Sequence, residues 1–570
     1  MRILIVVLLT LYIYLPFIPD SFNSIDDRKM VNSLLNTRHI DYSGLFFPQS
    51  RPYYYRPLLY LSFLFDQRTH MCSAYLMHLE NVIIHLFNTL LIIMIAKELF
   101  SPQLSWPVYW LTPIIFAIHP INTEAVNWVS ARTDLLAGFF SFLAFLLLLR
   151  SHGYVSIFLS GVSFLLGLLC KESAIGFIGF AFVFVLYLHR NNLSLKQKSF
   201  FVAVFVLAVV TYFMMRYPEL RFWSHKQIAL DSLLPQGGKK QYSTDTSPSI
   251  IYSIGVLFKA IGFYFKKLFV PWPLNFAIVR INRSFYLFLG IAITGLLIFL
   301  LIKERNGLAL SLLWSLCFML IATLVPLRRL AWTPLAERYI YISSFGMCLF
   351  VTYVAIRLAE RYDSKRIIYC GLGIYLLAFC ISTAYRNYIW KDNYRLYLDT
   401  AKKSPDFGPV HNELGIALLD KGKKEEAKKE FEIAARLTKG CAYNLVVKNN
   451  ALMIEQGKLK PEEVLRRYDS MMAATDDKNV KANIIHNGLR YMNYLLLNNK
   501  VTPSERRFIY KKKIEYFKKL SALQIGPFVI TSWDSYILQW GKEIRRIYIS
   551  RRHTIWLTRM HFLKKRHIIL

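Results

Sequence analysis

Apolar residues in this chain fall in long uncharged runs, not in the three-or-four spacing of a helix with one wet face. Leu135 to Leu149 and Phe200 to Met215 carry no charge at all, and such runs approach the roughly 20 residues that a helix needs to cross ~30 Å of hydrocarbon. The pattern predicts spanning helices at about 75–96, 107–119, 134–150, 154–170, 174–189, 200–216, 284–302, 308–326, 337–356 and 366–385. Ile3 to Pro19 has one cation before it and no small-x-small cleavage site, so it reads as a retained first helix. With it the count is about eleven. The 107–119 run is short and flanked by Pro107 and Pro120. The 250–270 run holds Lys259, Lys266 and Lys267 within it or at its end and is expected to lie along the interface; were it to span, every later side would flip. The fold class is all-α: a polytopic membrane protein with a helical C-terminal region.

An odd number of spans puts the termini on opposite sides. Arg150, the Arg190/Lys196/Lys198 loop, Lys303/Arg305 and Arg357/Arg361/Lys365/Arg366 then share one side, as positive-inside loops should. Arg132, Lys171, Arg328, Arg329 and Arg338 fall on the other, which points to a role beyond orientation. From about Tyr385 the chain turns soluble and Lys-rich. There His411-Asn412-Glu413-Leu414-Gly415-x-x-Leu418, then Gly422, Ala427, Phe431 and Ala434, follow the tetratricopeptide pattern, with small residues where two helices touch and large ones where they interlock. The expected organisation is a membrane domain over 1–385, TPR-like helical repeats over 386–520 and a basic aromatic tail over 521–570. Within the membrane domain, 20–73 and 217–283 are expected as non-cytoplasmic loops.

Composition changes this picture little. The hydrophobic fraction is 55% and mean hydropathy is +0.33. Seven cysteines without pair spacing indicate neither a disulfide framework nor a zinc site. The excess of 70 Lys and Arg over 36 acids comes with no nucleic-acid motif, so membrane lipids and a phosphate-bearing substrate are the expected partners, and nucleic acid is not.

Candidate chemistry begins just after the first helix, at Ser24-Ile25-Asp26-Asp27-Arg28-Lys29, where an aqueous carboxylate at a bilayer surface can take a proton from a hydroxyl. Paired Asp also cap helices. Further clusters lie on the same predicted side. In His119-Pro120-x-x-x-Glu124-x-x-x-Trp128-x-x-x-Arg132-x-Asp134 the four-residue spacing predicts one helical face with an acid, a ring and a cation. Lys171-Glu172 and Glu337-Arg338-Tyr339 stand where helices meet the membrane surface; alone, each such group often only anchors a helix. His78, Asn81 and His85 form a polar stripe on an apolar span, which reads as interhelical packing before metal ligation.

In this order the motifs resemble the transmembrane and tetratricopeptide-repeat (TMTC) family of the GT-C class of membrane glycosyltransferases, to which the protein O-mannosyltransferases also belong. The matching pieces are Asp26-Asp27, Tyr55-Arg56-Pro57-Leu58, His78-x-x-Asn81-x-x-x-His85, His119-Pro120-x-x-Thr123-Glu124-Ala125-Val126 to Arg132, Lys171-Glu172, Glu337-Arg338-Tyr339 and the repeats, spanning 20 to about 437. The chain departs from eukaryotic members in having far fewer recognisable repeats.

The resemblance implies transfer of a hexose such as mannose from a polyprenyl- or dolichyl-phosphate sugar to a hydroxyl of a protein, on the non-cytoplasmic side. A glycan or glycolipid acceptor, or a non-catalytic scaffold or lipid-sugar transporter, are the alternatives. Such a reaction has an oxocarbenium-like transition state with negative charge growing on the leaving phosphate. It calls for a base, assigned to Asp26 or Asp27, and for cations on the phosphate. Arg56, Arg132, Lys171 and Arg338 are the candidate cations, Glu124, Glu172 and Glu337 their orienting acids, and His119 a further substrate-binding candidate. A monophosphate donor needs less charge neutralisation than a nucleotide sugar, so no metal or cofactor is expected; Mg²⁺ held by the Asp pair is the alternative. A bacterial inner membrane with a periplasmic repeat region is the expected location, the endoplasmic reticulum with a lumenal one the alternative.

Overall fold

The computed structural model describes residues 2–523 apart from 37–40, 48–54, 101–106, 151–152, 189–192, 224–249, 282, 304–306, 329–332, 363–364, 441–442, 457–458 and 498–501. The basic tail therefore lies outside the described residues from 524 onward.

Among the described residues the chain is all-helical, with one isolated bridge between Ile278 and Leu335. The membrane part runs through α1 (Arg2–Tyr14), α2 (Asp27–Asn36), α3 (Tyr42–Phe46), α4 (Pro57–His70), α5 (Ala74–Leu99), α6 (Pro107–Ile118), α7 (Thr123–Asn127), α8 (Arg132–Arg150), α9 (Tyr154–Cys170), α10 (Gly176–Val183) and α11 (Leu195–Trp223). It continues through α12 (Ile250–Phe269), α13 (Phe285–Lys303), α14 (Gly307–Arg328), α15 (Tyr341–Arg361) and α16 (Lys365–Trp390). Each of the eleven runs read from sequence forms a helix. Seven are long and apolar enough to cross a membrane, and Ile3–Phe17, Tyr154–Cys170 and Glu172–Leu188 are apolar but shorter. At 12 residues α6 is about 18 Å long, well short of the hydrocarbon thickness. This is an integral multi-pass membrane protein.

Side-chain size explains the packing. A knot of Phe142, Phe145, Phe177, Phe180 and Phe345 surrounds the fully buried Trp314, whose indole N–H donates to the Ile342 carbonyl. On the perimeter, Phe288, Ile298 and Ile302 of α13 and Ile367, Ile374 and Ile381 of α16 point outward, as lipid-facing residues do. Helices α12 and α13 cross backbone to backbone: a Cβ on Gly262 would stand 1.9 Å from the Tyr286 carbonyl oxygen, and one on Gly290 2.0 Å from that of Phe258. Gly262→Leu is accordingly expected to prise the pair apart, at a cost of about 1–3 kcal/mol, read as a lower melting temperature in detergent.

After α16 come α17 (Asn393–Lys403), α18 (Gly408–Asp420), α19 (Lys424–Leu437), α20 (Tyr443–Glu455), α21 (Pro461–Ala473), α22 (Lys478–Leu497) and α23 (Pro503–Ala522). The α18–α19 hairpin realises the repeat pattern. Gly415 makes room for the Phe431 ring, Gly422 turns the chain with φ +75°, and Ala427 and Ala434 are fully buried. The α17–α20 core is shared with the membrane part: Trp390, Tyr397 and Val410 pack with Trp128, Phe276 and Ala277. The helical arm thus sits on the end of the bundle that carries Trp128.

Candidate functional site

Three sequence-distant ion pairs meet at that end of the bundle. Lys171, at the C-terminus of α9, donates from Nζ to both oxygens of Asp134 at 2.7 Å. Arg56, which precedes α4, pairs with Glu172 at 2.9 Å. Arg338 pairs with Glu124 of α7 through a very short contact. Its guanidinium lies between the Trp128 ring, 4.5 Å away, and the Tyr339 ring, 4.6 Å away. Lys171 Nζ stands 5.2 Å from the same Tyr339 ring. Arg56 and Arg338 are also the two cations whose charge Lys171 feels. Tyr339 thus joins Lys171 and Arg338, Arg56 adjoins them through Glu172, the residue after Lys171, and each of the three cations has its own carboxylate. Such pairing fixes where the cations point.

Exposure divides the candidates. Arg56 and Arg338 remain 15% and 14% exposed, and Glu172 is 43% exposed. Lys171 lies behind them, while Glu124 and Glu337 are buried. Burial raises the Glu124 carboxyl although Arg338 draws it down. Glu337 is drawn elsewhere: Oε1 accepts from Lys267 Nζ and the Asn275 N–H, both at 2.9 Å. This bond brings the C-terminal end of α12 to the same face as Arg338. His119 is wholly buried; its Nδ1 accepts from the Ile121 N–H, so Nε2 carries the proton and donates to the Leu268 carbonyl at 2.9 Å.

Arg132 turns away from the cluster. Its five N–H donors find Asn81 Oδ1, Asp66, Ser62, the Met77 carbonyl and Glu80. The single helical face predicted for Glu124, Trp128 and Arg132 does not form. Trp128 adopts an extended conformation (φ −102°, ψ 119°) that ends α7, and a 3-10 turn, Val129–Ala131, leads into α8. The break swings Arg132 to the other side of the strip that holds Trp128. The polar stripe on α5 is interhelical: His78 meets the Ser21 carbonyl, Asn81 donates to Val126 and Trp128 carbonyls, and His85 contacts the Tyr341 hydroxyl at 2.8 Å.

The acidic doublet adjoins the cluster through that 3-10 turn. Asp27 is fully buried; its Oδ1 accepts from the Ser130 N–H at 3.0 Å and, more closely, from the Ser130 hydroxyl, and its Oδ2 accepts from the Asn23 N–H at 3.3 Å. Ser130 lies two residues, about 7 Å of Cα trace, from the Trp128 that stacks on Arg338. Asp26 is exposed. Burial, reinforced by the Asp26 charge, pushes Asp27 up to about 7 against the pull of the Ser130 and Asn23 bonds. The folded protein therefore holds a proton that the unfolded chain gives up near 4. That contribution to stability is complete below about 4 and is lost as pH rises through 7. The apparent melting temperature should fall between pH 5 and pH 8, with a shallower fall in Asp27→Asn.

Among the described residues, Asp66, His70 and Glu80 bring ligand atoms within 4.8 Å of one another, the spacing a metal ion needs. The donor set does not suit one. His70 Nδ1 accepts from the Ser73 N–H, which leaves the proton on Nε2, directed at Glu80 Oε1 3.1 Å away. Arg132 already supplies the positive charge.

Sequence reasoning gave no role to Asp134, Lys267 or Ser130. Their partners are 37, 70 and 103 residues away. The usable signal was an ionisable residue next to a membrane boundary, which all but Ser130 carry.

The chain has curated relatives. It is 23% identical over 491 residues to the human protein O-mannosyl-transferase TMTC3, covering 80% of this chain and 52% of that protein. It is 27% identical over 433 residues to the Caenorhabditis elegans protein O-mannosyl-transferase F38B6.6, covering 74% and 60% respectively. With Drosophila melanogaster protein O-mannosyl-transferase Tmtc3 it shares 25% identity over 454 residues, 67% of this chain and 48% of the relative. No protein-family model matches. The chain spans about half to three-fifths of the length of these relatives.

Proposed function

We propose that this chain, a TMTC-like membrane protein, is a glycosyltransferase that moves a hexose such as mannose from a polyprenyl-phosphate donor to a hydroxyl of a protein. The observation that carries this reading is the juxtaposition of Lys171 and Arg338 at the Tyr339 ring, with Arg56 beside them on Glu172 and an exposed Asp26 on the adjoining loop. The names of the curated relatives agree with it.

In the proposed reaction the acceptor oxygen attacks the anomeric carbon as the bond to phosphate breaks. Positive charge builds on the sugar and negative charge on the departing phosphate. Asp26 takes the hydroxyl proton because it is the exposed member of the doublet. Asp27, with both oxygens bound, braces the loop against Ser130. Arg56 and Arg338 keep exposed edges toward the phosphate, backed by Lys171. The buried indole N–H of Trp128, unpartnered under Arg338, is one more donor at this place. Arg132 and His119 hold the scaffold. The oriented guanidinium and ammonium N–H groups meet the phosphate oxygens in this reading, and the proposed transfer step uses no metal.

In this reading a lipid-linked donor enters between spans, with the cluster and the arm on the non-cytoplasmic side of a bacterial inner membrane or, alternatively, of the endoplasmic reticulum. The test is a purified full-length preparation given undecaprenyl-phosphate-mannose and a Ser/Thr-rich peptide, with a chelator present. Labelled mannose should appear on the peptide. A preparation that turns over the donor only onto water or glycan, or only when Mg²⁺ is restored, defeats the acceptor or the metal-free part of the reading. A reporter fused at residue 400 should score as non-cytoplasmic.

A further inference from the structure

The loop bearing the acidic doublet is held by the arm as much as by the bundle. Asn393 Nδ2 donates to the Phe22 carbonyl at 3.0 Å. The Tyr397 hydroxyl donates to Asn23 Oδ1 at 2.9 Å and lies 2.9 Å from Ser24 Oγ. Ser24 Oγ donates to Glu413 Oε2 at 2.5 Å. Ile25 packs on the α17–α20 core, and Arg28 pairs with Asp420 at 3.1 Å. These contacts join residues 22–28 to partners more than 370 positions later. They come from α17 and α18, the helices nearest the membrane part.

Two features make this more than ordinary packing. Tyr397 is fully buried, and its ring sits in the same aromatic group as Phe276, Trp390 and Trp128, the residue that stacks on Arg338. One aromatic group thus carries both the hydroxyl that fixes Asn23 and the ring that fixes Arg338. In addition, Asn23 is the residue whose backbone N–H reaches Asp27. A hydroxyl on the arm therefore sets the residue that sets the doublet. Within the loop the N–H groups of Asn23, Ile25 and Arg28 bond to Asp27 and Asn23. The arm adds the anchorage of Phe22, Asn23 and Ser24 to the rest of the molecule, and without it those residues would regain conformational freedom.

We propose that Tyr397 and Glu413 are positioning residues of the transfer centre: through Asn23 and Ser24 they hold the 22–28 loop so that Asp26 faces the Arg56–Lys171–Arg338 cluster. This rests on the transferase reading above and adds that the first arm helices are part of the site, not solely a platform for an acceptor. It follows that small acceptors need the arm as much as polypeptides do.

The experiment uses full-length protein with undecaprenyl-phosphate-mannose and a Ser/Thr peptide as probes. The variants are Tyr397→Phe, Glu413→Ala, Glu413→Gln and Asp26→Asn, each followed by kinetics and by amide hydrogen exchange. A misplacement of about 1 Å at a reacting group costs up to ~10²-fold. Tyr397→Phe and Glu413→Ala should therefore lose roughly 10- to 100-fold in kcat, with donor KM within about twofold. Glu413→Gln, which keeps an acceptor for Ser24, should recover most of the loss. Exchange should quicken at 22–28 and stay slow across 408–437.

Wild-type kcat in Tyr397→Phe and Glu413→Ala overturns the proposal. So does a loss that Gln at 413 fails to rescue, or one accompanied by loosening of the whole arm. If those variants are impaired as expected, the proposal stands. Wild type and Asp26→Asn separate the two levels. No transfer by the wild-type protein sinks the transferase reading itself. Full transfer in Asp26→Asn removes the base that the latch is said to position and overturns the proposal. A dead Asp26→Asn beside active Tyr397→Phe and Glu413→Ala sinks the latch alone.

Discussion

Asp26→Asn is expected to slow sugar transfer by about 10²- to 10⁴-fold, the usual worth of a general base, with the KM of the lipid donor unchanged. The substitution keeps the side chain's size and one oxygen but removes the site that accepts a proton. Asp26 is exposed beside a buried neighbour, so it can meet an incoming hydroxyl without the protein opening. The donor's phosphate is assigned to cations that other carboxylates orient: Arg56 has Glu172, Lys171 has Asp134 and Arg338 has Glu124. Donor affinity should therefore survive the loss of the base. Asp27→Asn should behave differently. Its two oxygens accept from three donors, and an amide, which carries two hydrogens and cannot shed them as the carboxyl does above about pH 7, would set an N–H against the N–H of either Asn23 or Ser130. That variant should lose folded protein as well as rate. Initial rates at saturating donor, normalised to folded protein, separate the two. Full activity in Asp26→Asn would remove the exposed carboxylate from the chemistry.

The two assignments rest on different kinds of legibility. The helices could be read because a run such as Leu135 to Leu149 has one stable place, and α8 occupies it. The α18–α19 hairpin could be read because Gly415 and Phe431 must face each other wherever that pattern folds. The motif residues around Glu124, Lys171 and Arg338 could be picked out because an ionisable group at a membrane boundary is costly without a purpose. What could not be read was who pairs with whom. Lys171 could have met Glu172 beside it; it meets Asp134 on another helix. Periodicity misled where the backbone broke: the spacing of Glu124, Trp128 and Arg132 is helical, but Trp128 is extended, and one residue's dihedrals redirect everything after it. Contacts between the 22–28 loop and the arm had no local signal, since Tyr397 and Glu413 look like ordinary repeat positions until the two ends of the chain are brought together.

Arg132 shows what such redirection does, and its replacement should give the largest loss of stability. Arg132→Met is expected to cost about 3–5 kcal/mol, because removing one partner of a buried ion pair leaves the other charge uncompensated. Arg132 and Asp66 are 2% and 1% exposed and 2.7 Å apart. The guanidinium also caps the Met77 carbonyl and Asn81, and it lies 5.0 Å from the Phe63 ring. Lysine, a point charge with three donors, cannot replace this fork, so Arg132→Lys should fail nearly as badly. The double variant Arg132→Met with Asp66→Leu removes the stranded charge. It should regain most of the loss, since Glu80 is 28% exposed and can be hydrated where it stands. The measurement is the yield of monodisperse protein and its melting temperature, read beside donor KM in whatever folds. An unchanged KM in the folded double variant makes Arg132 a scaffold residue. A KM raised tenfold or more with stability intact would return it to the phosphate, and would mean that the Asp66–Glu80 pairing gives way when donor binds.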